Sequence, residues 1–181
     1  MKSELDILKI VIERLDKADI PYMLTGSMAA NFYTVPRMTR DIDIVIEITE
    51  RDVERLSSLF SADFYIDGEV IRKALGGRRM FNIIHTEAVV KVDFIIRKDL
   101  EYRKVEFNRR RKMEFEGRSI YVVSPEDLLI SKLFWARESM SGLQIGDVRN
   151  LLETVGELDR EYIEKWVRKL ELDDVWKAAL G

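Results

Sequence analysis

Residues 41–48, DIDIVIEI, alternate strictly between isoleucine and other residues. A period of two is the pattern of a β-strand, because successive side chains of a strand point to opposite faces. One face of this strand carries only isoleucine, and the other carries Asp41 and Asp43 at its first end. The apolar face must be covered, so the pattern predicts a sheet packed against helices.

The rest of the chain divides into two parts. Up to residue 123, strands are expected at 20–25, 79–85, 89–96, 112–116 and 118–123, and helices at 3–18, 28–33, 50–60 and 69–76. Ser124 and Pro125 then give a helix start, with serine as N-cap and proline at the first helical position. Helices are expected at 125–139, 144–155, 159–169 and 171–180. We therefore predict an α/β core over residues 1–123 and a C-terminal helical subdomain over 124–181.

Composition excludes several kinds of site. The chain has no cysteine, which rules out disulfides, thiolate metal sites and a cysteine nucleophile. His85 is the one histidine, so a zinc site is disfavoured and a structural role is expected for it. The net charge of −3 gives no general attraction to nucleic acid or to an anionic membrane.

The chain also lacks the usual signs of membrane insertion or export. No apolar run reaches the roughly 18 residues needed to cross a bilayer. Lys9, Glu13 and Arg14 interrupt the apolar segment that a signal peptide would need. We expect a cytoplasmic protein with no membrane contact.

Three aspartates form a candidate metal site. Asp41 and Asp43 leave the same face of one strand, and Asp93 interrupts the apolar strand VVKVDFII. If the two strands are neighbours, three carboxylates meet, and their mutual repulsion favours a bound cation such as Mg²⁺. Such a set can hold two metals about 3.5–4 Å apart, the arrangement used in phosphoryl transfer. The alternative is a structural ion-pair cluster, with partners drawn from Arg37, Arg40 and Lys91.

Gly26 and Ser27 form a candidate phosphate cradle, because they lie between a strand and a helix. Glycine allows close approach of the backbone, and a helix N-terminus offers free N–H groups to phosphate oxygens. Ser27 adds a hydroxyl donor.

These residues carry a family resemblance. The run LTGSMAANFYTVPRMTRDIDI resembles the DNA polymerase β-like nucleotidyltransferase superfamily, whose motif is a hydrophobic residue, Gly-Ser, a gap and Asp-hydrophobic-Asp. Within it, RMTRDID resembles the Arg-x-Thr-x-Asp-x-Asp form of AbiEii-like proteins of the toxin–antitoxin branch. SPEDLLISKLFWAR and QIGDVRNLL resemble the two helices that follow in that family, with Lys132 and Asp147 at its lysine and acidic positions.

The resemblance implies an α+β nucleotidyltransferase fold, a mixed β-sheet flanked by helices. It implies transfer of a nucleoside monophosphate from an NTP to an acceptor hydroxyl, with Mg²⁺ or Mn²⁺ as cofactor. The acceptor would be tRNA, another RNA or a protein, and the partner a cognate toxin or antitoxin. Asp41, Asp43 and Asp93 would be catalytic and metal-binding. The nucleotide would bind to Gly26, Ser27, Arg37, Thr39, Lys132 and Asp147.

Two alternatives remain open. One is a catalytically silent nucleotidyltransferase-fold module that binds NTP or RNA, which is favoured by Gln144 standing where the family usually has an acid. The other is an antitoxin that nucleotidylates a partner protein. The basic stretch 97–112 holds eight Lys/Arg against three acids. It would serve as an RNA track or, by the favoured interpretation, as a solvated charged face.

Overall fold

The computed structural model describes residues 2–181, which form an α+β fold around a seven-stranded sheet. The strands are β1 (Tyr22–Thr25), β2 (Ile42–Ile46), β3 (Phe64–Tyr65), β4 (Met80–His85), β5 (Lys91–Ile96), β6 (Arg111–Phe115) and β7 (Arg118–Val122). The helices are α1 (Glu4–Lys17), α2 (Gly26–Ala30), α3 (Val53–Phe60), α4 (Gly68–Gly77), α5 (Glu101–Asn108), α6 (Pro125–Ala136), α7 (Gly142–Thr154), α8 (Arg160–Lys169) and α9 (Asp173–Leu180).

The sheet is mixed, as the resemblance implies. Its strand order is β3-β4-β5-β2-β1-β7-β6. β2 runs parallel to β5, and β1 runs parallel to β7. The other neighbouring pairs are antiparallel. The parallel β2–β5 pair lies at the centre, which brings the two aspartate-bearing strands side by side.

The alternation of β2 decides which face of the sheet enters the core. Ile42, Ile44 and Ile46 are fully buried, whereas Asp43 and Val45 are only half-buried. Ile44 lies opposite Phe94 of β5, and Phe94 in turn packs against Phe60 of α3, with ring centroids 5.9 Å apart. Helices therefore cover the isoleucine face, and the aspartate face is left for function.

The helical part begins where the sequence predicted it. Ser124 caps α6: its hydroxyl accepts from the backbone N–H of Asp127, and Pro125 occupies the first helical position. α6 is buried along most of its length and packs against α2 and α7. One hydrophobic cluster includes residues from both parts of the chain. The division into a core over 1–123 and a subdomain over 124–181 stays a prediction.

Some elements differ from the expectation. The short helix starts at Gly26 instead of residue 28, and β3 and α5 were not expected. α5 lies inside the basic stretch 97–112, where charged residues hide the helical pattern. Its buried side chains, Tyr102, Glu106 and Phe107, include an acid that a pattern of apolar residues cannot register.

Within residues 2–181, no helix has the length and apolar character that crossing a bilayer demands.

Candidate functional site

Asp43 and Asp93 stand next to each other across the centre of the sheet. They are register partners in the parallel β2–β5 pair, so their side chains leave the same face of adjacent strands. Strands in a sheet are about 4.8 Å apart. The sequence named both residues, and the pairing confirms that their strands are neighbours.

Gly26 makes room for the Asp43 carboxylate. A Cβ atom at residue 26 would lie 2.1 Å from Oδ2 of Asp43, closer than any real contact. Gly26 also has a φ of +67°, a conformation that favours glycine. Thr25, the preceding residue, is the register partner of Asp43 on β1. The start of α2 is thereby held directly against the carboxylate.

Burial and neighbouring negative charges raise the pKa of Asp43. Burial is the largest cause, followed by the negative charges of Asp93 and Asp41, and together they raise the pKa of Asp43 to about 6. Lys91 and Lys132 oppose this effect without cancelling it. An acid destabilised in its charged form by neighbouring acids is suited to bind a cation.

Lys91 already supplies one positive charge. Its Nζ lies 2.7 Å from Oδ2 of the buried Asp93, and this hydrogen bond, followed by the charge of Asp93, raises the pKa of Lys91. Oδ1 of Asp93 is buried and has no hydrogen-bond partner in residues 2–181. One oxygen of Asp93 is therefore paired, as the ion-pair alternative expects, and the other is left for a ligand.

Asp41 is the outlying member of the aspartate set. It is exposed and precedes β2. In the described part of the chain, no three His, Asp or Glu side chains are grouped closely enough to hold a metal ion as they stand. The donors nevertheless suit Mg²⁺: Asp43 and Asp93 offer carboxylate oxygens, one of which is buried and unpaired. A metal at this pair would need Asp41 to turn inward if all three are to bind it.

A second group of side chains lies beside the aspartates and carries positive charge. Arg37 donates from Nη2 to Oγ of Ser27 at 2.8 Å and to Oδ2 of Asp147 at 3.0 Å. Lys132 of α6 is 3% exposed and donates to the same Asp147 oxygen at 2.6 Å. The ammonium group of Lys132 therefore points into the protein and not to solvent.

Asp147 holds this second group together. Burial would raise its pKa, but the hydrogen bonds from Lys132 and Arg37 outweigh burial and keep the pKa of Asp147 below its usual value. Gln144, one turn earlier on α7, accepts a hydrogen bond of 3.3 Å from Lys132. Thr39 is half-buried in the loop before β2, and its hydroxyl bonds to no described residue.

The comparison with protein families decides the affiliation. The family described as "Nucleotidyl transferase AbiEii toxin, Type IV TA system" matches residues 13–170. The chain belongs to the AbiEii family. That match spans both aspartate strands and the helices that carry Lys132 and Asp147. A comparison with curated protein sequences gives no match.

Solved structures give the same fold. The antibiotic-resistance factor ANT(2'')-Ia aligns over 98% of this chain and 98% of its own, with a TM-score of 0.63 and 13% identity. An antigenic nucleotidyltransferase-like protein from Paracoccidioides brasiliensis aligns over 97% and 92%, with a TM-score of 0.57 and 18% identity. The lincosamide antibiotic adenylyltransferase LnuA aligns over 82% and 96%, with a TM-score of 0.57 and 15% identity. These likenesses show that the AbiEii chain has a nucleotidyltransferase fold.

The basic stretch 97–112 is largely engaged inside this AbiEii protein. Arg109 pairs with the buried Asp127 at 3.1 Å, and Arg111 pairs with Glu126 at 3.1 Å. Further partners are Glu47 for Arg97, Asp99 for Lys104, and Glu106 for Arg103. Arg109 and Arg111 hold the segment between α5 and β6 on α6, which weakens the role of an RNA track. Lys98, Lys104 and Lys112 are exposed, as a solvated charged face expects.

Lys91 was named from the sequence as a possible ion-pair partner of the aspartates, and the structure places its ammonium on Asp93. One residue near the aspartates was not chosen from the sequence. Asn82 is the register partner of Asp93 on β4 and was missed. The polar position in the apolar run MFNIIH was the available signal for it.

Proposed function

We propose that this protein is a divalent-metal-dependent nucleotidyltransferase that moves a nucleoside monophosphate from an NTP to an acceptor hydroxyl. The observation that carries the proposal is the register pair Asp43–Asp93, packed against Gly26 at the start of α2. Membership of the AbiEii family supports the same reaction class. The adenylyltransferase name of LnuA fits a transfer of this kind.

The aspartates would hold Mg²⁺ or Mn²⁺. Asp43 and Asp93 provide the central oxygens, and Asp41 completes the set by turning inward from its exposed position. Bound there, the metal would neutralise charge on the transferred phosphoryl group and the leaving pyrophosphate. Asp93 would offer its unpaired Oδ1 to the metal, and Lys91, bonded to Oδ2, would balance part of the remaining negative charge.

The neighbouring residues would bind the triphosphate. The backbone at Gly26 and Ser27 offers N–H groups, and the Ser27 hydroxyl already accepts a bond from Arg37. Arg37 and Lys132 are the two cations of this side, and both are held in place by Asp147. Asp147 then acts on the nucleotide through these cations, because a carboxylate repels phosphate. Thr39, which has no internal partner, would contribute a hydroxyl.

Nucleotide binding tests the site directly. Calorimetry with ATP, GTP, CTP and UTP should show binding that needs Mg²⁺ or Mn²⁺, because the carboxylates repel a triphosphate until a cation bridges them. Asp43→Asn should abolish that binding, whereas the matched change Asp99→Asn, on an exposed loop, should preserve it. Equal affinity in EDTA would refute the metal-dependent site.

A catalytically silent NTP-binding module is the second candidate. Gln144 at the family's acidic position favours it, as does the ion pair between Lys91 and Asp93. Incubation with α-labelled NTPs, Mg²⁺ and cell extract separates the candidates. Label on RNA or on an unrelated protein supports a transferase toxin, and label on a single cognate partner supports an antitoxin that nucleotidylates it. Binding without label supports the silent module.

A further inference from the structure

Four strands place their polar residues in one line across the aspartate face. Thr25 of β1 is the register partner of Asp43, Asp43 of Asp93, and Asp93 of Asn82 on β4. Thr25 and Asp93 are buried, whereas Asn82 is exposed. The line therefore opens to solvent at Asn82. This inference rests on the transferase function proposed above.

The pairing type brings Asn82 close to Asp93. His85 donates its backbone N–H to Val90, and Ile96 donates to Arg79, so the hydrogen-bonded pairs on β4 fall at odd-numbered residues. Asn82 and Asp93 form a non-hydrogen-bonded pair, whose Cα atoms lie about 4.5 Å apart and whose side chains are the closest. Oδ1 of Asp93 is buried and has no hydrogen-bond partner among the described residues.

Apolar residues continue the same face beyond Asn82. Val45, Ile95 and Met80 form the next register row, about 6.8 Å along the strands. Val45 and Ile95 are half-buried, and Met80 is 51% exposed. Arg79 comes one residue before Met80, and strand alternation directs it to the opposite face. The body of a molecule lying here would meet apolar side chains.

We propose that this area is the acceptor subsite and that Asn82 binds the acceptor hydroxyl. The Asn82 amide N–H donates to the hydroxyl oxygen, and the hydroxyl proton is released to water. The oxygen forms a bond to the α-phosphorus of the NTP, while the bond from that phosphorus to pyrophosphate breaks and its electron pair leaves with pyrophosphate. Met80 and its row support the rest of the acceptor.

The surroundings of the subsite favour a protein acceptor. A hydroxyl-bearing protein side chain has an uncharged body that can lie on Met80, Ile95 and Val45. An RNA acceptor needs cations for its phosphates. Five of the eight cations of 97–112 are already paired with carboxylates of this chain.

Labelling with matched variants tests the inference. The full chain, Mg²⁺, α-labelled NTPs and a cell extract should give a product that protease destroys and ribonuclease leaves intact. Asn82→Ala should lower the labelling rate about tenfold, through loss of one hydrogen bond to the acceptor. Met80→Ser should lower it several-fold through lost apolar contact. Calorimetry should show Mg–NTP affinity unchanged in both variants.

Exposed residues on helices provide the controls. Asn150→Ala on α7 and Leu5→Ser on α1 should label at the parent rate. A ribonuclease-sensitive product overturns the protein acceptor. Equal rates for Asn82→Ala and Asn150→Ala, or a loss of NTP affinity in Asn82→Ala, overturn the subsite. A parent that binds Mg–NTP and labels nothing refutes the transferase function, and the acceptor subsite with it.

Discussion

At the scale of single residues, Gly26 leaves no room for a side chain beside Asp43. Gly26→Ala should lower the free energy of unfolding and abolish NTP binding, because the new Cβ would displace the Asp43 carboxylate. Gly117→Ala is the matched control: Gly117 has a φ of +75°, and a Cβ there would meet nothing within 4 Å. Each change costs roughly 1–2 kcal/mol from backbone strain. Urea unfolding should show a larger fall in the free energy of unfolding for Gly26→Ala than for Gly117→Ala. Equal falls would show that the Asp43 side chain moves aside at no cost.

Asp43 should also make stability depend on pH. Its pKa is raised in the folded protein to about 6, so its ionisation favours the unfolded chain. The stability that protonated Asp43 contributes to the fold is therefore fully present below about pH 4 and is lost as pH rises through 6. In EDTA, the free energy of unfolding of Asp43→Asn should rise relative to that of the parent across that pH range. The difference should reach on the order of 2–3 kcal/mol at pH 7. A difference between variant and parent that is constant from pH 4 to 7 would contradict the raised pKa.

At the scale of elements, α5 is held by ion pairs to α6. Arg109→Ala should destabilise the protein by about 3 kcal/mol, because it removes the cation from the fully buried Asp127. Lys104→Ala, within α5, breaks an exposed pair with Asp99 and should cost at most about 1 kcal/mol. Thermal unfolding of both variants measures the contrast. Similar losses would mean that Arg109 is a surface charge.

An element could be predicted where its signal is local, and not where it depends on distant partners. β2 and α6 have local signals, a period of two and a Ser-Pro start, and both appear where expected. α5 has no such signal, because its buried Glu106 is satisfied by Arg103 and by Ser131, which lies 25 residues away. Burial of a charged residue depends on partners that a local pattern does not contain.

At the scale of the whole molecule, Lys132 and Asp147 join the C-terminal helices to the proposed nucleotide site. Asp147→Leu should destabilise the protein by about 3–5 kcal/mol, because it leaves the buried ammonium of Lys132 without a counter-ion. Adding Lys132→Met should restore most of that loss, yet NTP binding should stay absent in the double variant. Unfolding and calorimetry on both variants separate stability from binding. A double variant that binds NTP normally would exclude Lys132 from the site.

The residues of the candidate site were proposed from the sequence, but most of their contacts could not be predicted. Arg37 and Asp147 are 110 residues apart, and nothing local relates them. The pairing of Asp43 with Asp93 needed only the guess that two strands are neighbours, because the spacing fixes the face. The position of Asn82 beside Asp93 depends on the register of the β4–β5 hairpin. A shift of one residue would have put Asn82 on the opposite face of the sheet.

The bond between Lys91 and Asp93 has a consequence for the proposed metal site. The folded chain already supplies a cation to the buried carboxylate, so folding does not depend on magnesium. Under the proposed function, metal binding would add a second cation beside the first. The Lys91 side chain is 45% exposed, and exposed side chains change rotamer within nanoseconds. The proposed enzyme would therefore be fully folded before metal and nucleotide arrive.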